Sequence, residues 1–209
     1  MDKKIVITIA RGYGSGGKTI GKMLSKELNI PFYDREILYM ASDDSGINLG
    51  LFQKHDEEVN IGLFDSTTKK YSGNLIPPED SKFTSKENLF NYQAKIIKSL
   101  AEKESCIIVG RCADYILKDY ENVIKVFIWA PHETCISTIM DMFAMSEKEA
   151  DKKIRKIDKH RSEHYHYYTC RDWDNARNYD LCLNSADLGF NGCVEAIKSY
   201  IEVLKNVKK

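Results

Sequence analysis

The chain has 209 residues, of which 31 are Lys or Arg and 31 are Asp or Glu, so its formal net charge is zero. This balance argues against a polybasic binder, because no global field would hold the chain on nucleic acid or anionic lipid. With 43% hydrophobic and 30% charged residues, the composition excludes collagen-like, low-complexity and disordered chains and predicts a single globular domain.

No apolar run reaches the roughly 18 residues of a membrane span, and the early run from Ile5 to Ala10 is too short for a signal-peptide core. We therefore expect a cytoplasmic protein without a membrane partner. The six cysteines form no Cys-x-x-Cys pair, and in a chain of this size we expect reduced, mostly buried thiols. They are Cys106, Cys112, Cys135, Cys170, Cys182 and Cys193.

The first predicted unit is a strand, a glycine-rich loop and a helix. The run from Ile5 to Ile9 is continuously apolar apart from one Thr, which is typical of a strand covered on both faces in a parallel sheet. From Thr19 onward, apolar residues recur at helical spacing until Asn29. Residues 32–33 then form a short second strand, so Asp34 is expected at its carboxyl end.

The rest of the chain continues to alternate strands and helices. Further strands are predicted at 106–109, 123–130 and 181–183, with helices starting at 37, 89, 146 and 194. Ser146 and Glu149 have the spacing of a capping box. Residues 42–85 are rich in turn formers and are expected to be a mobile insert. The pattern predicts an α/β protein with a doubly wound, parallel, five-stranded sheet that binds ligands at the carboxyl ends of its strands.

Residues 12–19 match the phosphate-binding motif GxxxxGK[ST], the Walker A motif, in full and lie between a predicted strand and a predicted helix. The loop amides and the helix N-terminus would surround phosphate oxygens, Lys18 would reach the outer phosphates, and Thr19 could ligate Mg²⁺. The motif therefore predicts a P-loop NTPase fold with ATP and Mg²⁺ as ligands. The predicted ATP-binding residues are Gly12, Gly14, Ser15, Gly16, Gly17, Lys18 and Thr19. A glycine turn without a ligand and a GxGxxG dinucleotide site are the weaker alternatives.

Three further residues are candidates for binding the phosphate acceptor. Asp34 could orient an acceptor hydroxyl or a metal-bound water, and Arg35 could neutralise an acceptor phosphate; the alternative is a helix N-cap followed by a solvated arginine. Arg111 ends the third strand, where a Walker-B carboxylate would be expected. It is expected to bind an anion or to form a structural salt bridge, and Mg²⁺ is then expected to depend on Thr19 and water.

Several segments together resemble the cytidylate kinase-like family of bacterial P-loop proteins. They are residues 7–21, 30–34, 108–117, 154–161, 172–173, 179–181 and 183–184. The resemblance implies a core of residues 1–41, 105–145 and 179–209, an acceptor-binding insert at 42–104, and a lid at 146–178 that closes over the phosphates. It also implies transfer of a phosphoryl group from ATP to a nucleoside monophosphate, CMP among the candidates, or to a similar small phosphorylated acceptor.

The lid segment is rich in basic residues that could stabilise charge on the transferred phosphoryl group. The candidates are Arg155, Lys159, Arg161 and Arg171, with Arg155 and Arg161 expected to be catalytic beside Lys18 and Asp34. A solvated charged helix is the alternative. A zinc site at His160, His164, His166 and Cys170 is less favoured than packing of the lid on the core, because His166 does not share a helix face with the other two histidines.

The first hypothesis is thus an ATP-dependent kinase with a small-molecule phosphate acceptor and no nucleic-acid or membrane partner. A nucleotide-binding regulatory or interaction protein without phosphoryl transfer is the alternative. A nucleotide hydrolase switch is less favoured, because no obvious water-positioning Gln or Walker-B Asp is present. The sequence leaves the oligomeric state and the acceptor's identity open.

Overall fold

The core of the protein is a sheet of five parallel strands. The structure, a computed structural model, describes residues 4–57 and 71–207. The strands are β1 (Val6–Arg11), β2 (Phe32–Tyr33), β3 (Cys106–Val109), β4 (Val123–Trp129) and β5 (Leu181–Asn184). Their order across the sheet is β2-β3-β1-β4-β5, and every described pairing is parallel. The prediction of an α/β fold with a parallel five-stranded sheet is confirmed.

Eight helices and a single 3₁₀ turn accompany the strands in the described part of the chain. The helices are α1 (Gly17–Leu28), α2 (Glu36–Ser45), α3 (Leu49–Glu57), α4 (Lys86–Lys103), α5 (Ala113–Ile116), α6 (His132–Phe143), α7 (Glu147–Thr169) and α8 (Ser185–Val207), and the 3₁₀ turn is Ala176–Asn178. The predicted capping box is confirmed at the start of α7, where Ser146 and Glu149 each accept the other's backbone N–H. The sequence analysis did not predict α3, α5 or α6, and α5 is only a single turn.

The central strand β1 explains why its sequence is continuously apolar. Val6, Ile7 and Ile9 are fully buried, because helices cover both faces of the sheet at this strand. Val6 pairs with Cys106 on one side and with Val123 on the other, so the first residues of β1, β3 and β4 are aligned in register. Their carboxyl ends therefore meet at one edge of the sheet, which is where the glycine loop begins.

Each face of the sheet has its own hydrophobic cluster. On one face, α1 and α8 contribute Leu24 and Ile197, among others. On the other, α4 and α5 pack with the C-terminal part of α7, where the rings of Phe90 and Tyr168 stack with their centroids 3.8 Å apart. The N-terminal part of α7 packs instead on α6 through Ile154. Helix α7 thus belongs to the core at one end and to a helical hairpin at the other.

The expected insert contains more regular structure than its composition suggests. Residues 49–57 form α3, in which Phe52 is fully buried against α2 and α4. The amide of Asn88, also fully buried, bonds both backbone groups of Ile76 and the carbonyl of Phe83, which fixes the preceding segment on α4. The expected insert thus includes regular structure at α3, and its mobility stays a prediction. Residues 58–70 lie outside the described residues.

All six cysteines are free. Four of them are buried, as expected, whereas Cys170 and Cys182 are exposed. Within the described part of the chain, no helix is long and apolar enough to cross a membrane.

Candidate active site

The glycine loop lies between the end of β1 and the start of α1. Gly14 and Gly16 have left-handed backbone angles, with φ of 91° and 78°, which a residue with a side chain adopts only at a cost. A Cβ at Gly16 would also run into the ring of Phe190 from α8. The hydroxyl of Ser15 is within hydrogen-bonding distance of the Ile128 carbonyl, at 3.1 Å, and so ties the loop to β4.

One loop carbonyl is held by a side chain from α8, whereas several loop amides have no described acceptor. Ser185 holds the Ser15 carbonyl at 2.7 Å through its hydroxyl. In contrast, no described residue accepts a hydrogen bond from the backbone amides of Gly16, Gly17 or Lys18. Unpaired amides at a helix N-terminus form an anion-binding site. The loop can therefore bind an anion, and the exposed residue Thr19 could serve as a metal ligand beside it.

The loop lysine contacts the carboxylate at the end of β2. Lys18 Nζ lies 2.6 Å from Asp34 Oδ2, and the side chain of Lys18 is 52% exposed whereas that of Asp34 is 11% exposed. The structure thus brings the predicted phosphate-binding lysine and the predicted acceptor-orienting carboxylate together. Arg35, the third residue of this region, is exposed at the start of α2.

Arg111 is engaged by a carboxylate from the insert. Its Nε donates to the Asp34 carbonyl at 2.9 Å, and its terminal nitrogens pair with both oxygens of Asp56 in α3. Burial is the largest single influence on Asp56 and by itself would raise its pKa. The charge and hydrogen bonds of Arg111, together with the charges of His164 and Arg11, hold that pKa below its usual value. Arg111, which the sequence predicted to bind an anion or to form a salt bridge, therefore already binds the carboxylate of Asp56.

Arg161 of α7 reaches the glycine loop, with its guanidinium 5.5 Å from the centre of the Tyr13 ring. Arg161 donates through Nη1 to the Arg11 carbonyl at 2.9 Å and to Asp158 at 3.1 Å. The Asp158 carboxylate in turn accepts the backbone N–H of Tyr13 in the loop at 2.8 Å. Burial lowers the pKa of Arg161 and raises that of Asp158. This chain of contacts joins the expected lid to the expected phosphate site.

The other lid bases are held elsewhere. Arg155 is exposed and pairs with Asp151 at 2.8 Å, and Lys159 is exposed and pairs with Glu163 at 3.7 Å. The Arg171 guanidinium lies 5.2 Å from the centre of the Tyr115 ring. Of the four predicted lid residues, only Arg161 contacts the loop in this structure, and roles for the other three remain predictions.

Sequence reasoning missed three residues at this site: Arg11, Asp56 and Asp158 were not proposed as functional. Arg11 carried a signal, because a charged residue that ends a buried strand directly before a phosphate loop is placed at the site. No sequence signal marked Asp56, because the apolar residues of its segment show no regular spacing.

Three histidines meet beside the site, between α3 and α7. The ring of His164 lies 5.6 Å from that of His55 and 6.0 Å from that of His160, measured between centroids. His160 Nε2 bonds the Asp56 carbonyl at 3.1 Å, and His55 Nε2 bonds the Tyr168 hydroxyl at 3.0 Å. No group of His, Cys, Asp and Glu in the described residues has the geometry to hold a metal. The two hydrogen bonds join α3 to α7.

This histidine cluster predicts a loss of stability in mild acid. Burial lowers the pKa of His55 to about 4 and that of His164 to about 3. The unfolded chain, with histidine pKa values near 6.5, then binds more protons than the folded one, so stability falls as pH drops from about 6.5 toward 4. Denaturant unfolding at pH 7 and about pH 4.5 should differ by about 2 kcal/mol or more.

Two glutamine variants give the matched comparison for this prediction. His164→Gln should flatten the pH profile, whereas His166→Gln, at an exposed position of the same helix, should leave its slope unchanged. The charged groups that face the cluster are Asp56, Lys86, Glu87 and Arg111. A wild-type profile that is flat between these pH values would contradict the prediction.

Comparison with known proteins gives a family match over most of the chain. The model of the cytidylate kinase-like family matches residues 6–187. A curated cytidylate kinase from Archaeoglobus fulgidus is 24% identical over 201 residues, which are 95% of this chain and 96% of that protein.

Solved structures agree with this match at the level of the fold. An uncharacterized protein from Eubacterium ventriosum superposes with a TM-score of 0.71 and 30% identity, covering 96% of this chain and 99% of that one. Shikimate kinase from Bacteroides thetaiotaomicron superposes with a TM-score of 0.53 and 15% identity, covering 95% and 98%. The P-loop kinase fold is thus shared well beyond recognisable sequence similarity.

Proposed function

Because the chain belongs to the cytidylate kinase-like family, we propose that it is an ATP-dependent phosphotransferase. Its proposed acceptor is a nucleoside monophosphate, with CMP as the first candidate, or a similar small phosphorylated molecule. The observation that carries this proposal is the 2.6 Å contact between Lys18 and Asp34. It joins the group suited to the donor's phosphates to the group suited to the acceptor.

The proposed reaction rests on positioning and charge stabilisation. The loop amides and Lys18 hold the triphosphate, so Lys18 exchanges the Asp34 carboxylate for phosphate oxygens when the nucleotide binds. Asp34 is then available to accept a hydrogen bond from the acceptor or from a metal-bound water. An acceptor oxygen forms a bond to the γ-phosphorus, the bond from that phosphorus to the β–γ bridging oxygen breaks, and ADP leaves. Mg²⁺, for which Thr19 is the proposed ligand, would neutralise charge on the phosphate oxygens.

Arginines complete the proposed site on the acceptor side and on the lid side. Arg111 and Arg35 are the proposed ligands of the acceptor's anionic group. Arg161, which already donates to the Arg11 carbonyl beside the loop, would stabilise charge on the transferred group. Arg155 would have to break its ion pair with Asp151 to contribute.

An acceptor screen tests this function directly. ADP release from ATP and Mg²⁺ should rise about tenfold or more with one member of a panel of nucleoside monophosphates, nucleosides and small phosphorylated metabolites. The panel extends beyond CMP because the contacts described at the site involve phosphate-binding and charged groups and leave the acceptor's identity open. Tight ATP binding without acceptor-dependent release would instead support a regulatory nucleotide-binding protein.

A further inference from the structure

Arg11 is a charged residue at the end of β1, the central strand of the sheet. Its aliphatic stem lies under the glycine loop, where a Cβ at Gly17 would come within 2.5 Å of the Arg11 Cβ. Its guanidinium lies against Gly110 at the end of β3, so closely that a side chain at Gly110 would collide with Nη1. Both glycines therefore make room for this arginine.

The carboxylates around Arg11 are already paired with other cations. Asp34 pairs with Lys18, Asp56 with Arg111, and Asp158 with Arg161. Each of these three contacts has a nitrogen and a carboxylate oxygen within salt-bridge distance. The four cations of the cluster, including Arg11, therefore face three carboxylates.

Arg11 is the cation of this cluster that has no described carboxylate within salt-bridge distance. No residue in the described part of the chain accepts a hydrogen bond from the Arg11 guanidinium. The Arg11 nitrogens are nevertheless not fully enclosed by protein atoms. The guanidinium is thus unpaired and still reaches open space. Burial, and after it the charge of Arg161, lowers the pKa of Arg11 to about 9, so the group remains charged at neutral pH. The nearby charges of Asp34 and Asp56 offset part of this burial. A desolvated charge without a paired carboxylate is still costly, and a bound anion would reduce that cost.

The direction of the side chain indicates which anion it would meet. The guanidinium is turned toward Gly110, and in the sheet β3 and β2 lie on that side of β1. The residues on this side are Asp34 and Arg111, which the proposed function assigns to the acceptor. The carboxylate of Asp56 already occupies Arg111 there and so marks a position that can hold an anion.

We propose that Arg11 determines the acceptor's class: with Arg111 it binds the phosphate group of a phosphate monoester, which takes the place of the Asp56 carboxylate. This inference rests on the proposed function and deepens it. Charge-assisted hydrogen bonds from a guanidinium to phosphate provide both affinity and orientation. A nucleoside or sugar without the phosphate would leave Arg11 and Arg111 without their ligand and would be rejected.

Equilibrium binding of inorganic phosphate tests the proposal without turnover. A non-hydrolysable ATP analogue with Mg²⁺ first fills the glycine loop, and phosphate is then titrated by calorimetry. Arg11→Met should weaken phosphate binding about tenfold or more, Arg11→Lys should weaken it less, and Asp56→Asn should strengthen it. Arg177→Met removes the same charge from an exposed position and should have no effect.

Two results would overturn the proposal: no phosphate binding by the wild-type protein at millimolar concentration, or equal affinity in Arg11→Met and wild type. Because Arg11→Lys keeps the charge and the stem, it separates loss of the anion site from failure to fold. The outcome is also separable from the proposed function. If phosphate binding depends on Arg11 but no acceptor stimulates ADP release, the kinase function is refuted and the anion site is supported. If an acceptor stimulates ADP release but phosphate binding does not depend on Arg11, only the role of Arg11 is refuted.

Discussion

Lys18→Ala should abolish acceptor-dependent ADP release, lowering kcat by about a thousandfold or more, and should weaken ATP binding by about tenfold or more. The lysine is the one long cationic side chain of the glycine loop, and its ammonium group already lies at the junction between the loop and β2. Removing it takes away the charge that would offset the outer phosphates. Steady-state kinetics and calorimetry with an ATP analogue measure the two effects separately.

A neighbouring lysine provides the control. Lys22 is exposed one turn further along α1, so Lys22→Ala removes the same charge from the same helix and should change neither quantity by more than about twofold. Unaltered ATP affinity in Lys18→Ala would show that the loop does not bind the triphosphate as described.

Asp34→Asn should lower kcat by about a hundredfold while ATP binding is kept or becomes tighter. The amide preserves the size of the side chain but cannot hold Lys18 as a carboxylate does, so Lys18 is released toward the phosphates. What is lost is the negative acceptor group beside the reacting oxygen. The expected signature is therefore a separation of turnover from nucleotide affinity.

Asp44→Asn is the matched control for this second variant. Asp44 is exposed on α2 and pairs with Lys95 at 2.7 Å, away from the glycine loop. Its substitution should leave turnover unchanged. Full activity in Asp34→Asn would mean that the carboxylate acts only as a resting partner for Lys18.

Features that depend on local sequence were the ones that could be predicted. The buried strand β1, the glycine loop and the capping box of α7 each depend on a few neighbouring residues, and all three are found where the patterns place them. The short strand β2 likewise gives the position of Asp34. Long-range pairing could not be predicted in this way, because Arg111 meets Asp56 only once α3 packs beside α4, and no periodic signal marks α3.

The lid bases illustrate a prediction that helix geometry could have refined. Arg155 and Arg161 are six residues apart, which is about one and two-thirds turns of an α-helix, so they lie on different faces. Asp158 is three residues before Arg161 and shares its face, and the pair contacts the loop. Lys159 is four residues after Arg155 and lies with it on the exposed side.

Because α7 is a continuous helix of 23 residues, it is a rod about 35 Å long at 1.5 Å per residue. Its far end is fixed among the aromatic rings of the core, while Arg161 and Asp158 contact the loop near its middle. Such a rod cannot fold over the nucleotide as a flap does. Closure would therefore tilt the whole of α7 about its C-terminal end in the core. A small movement of the helix near the phosphates would then produce a larger displacement of the α6–α7 hairpin.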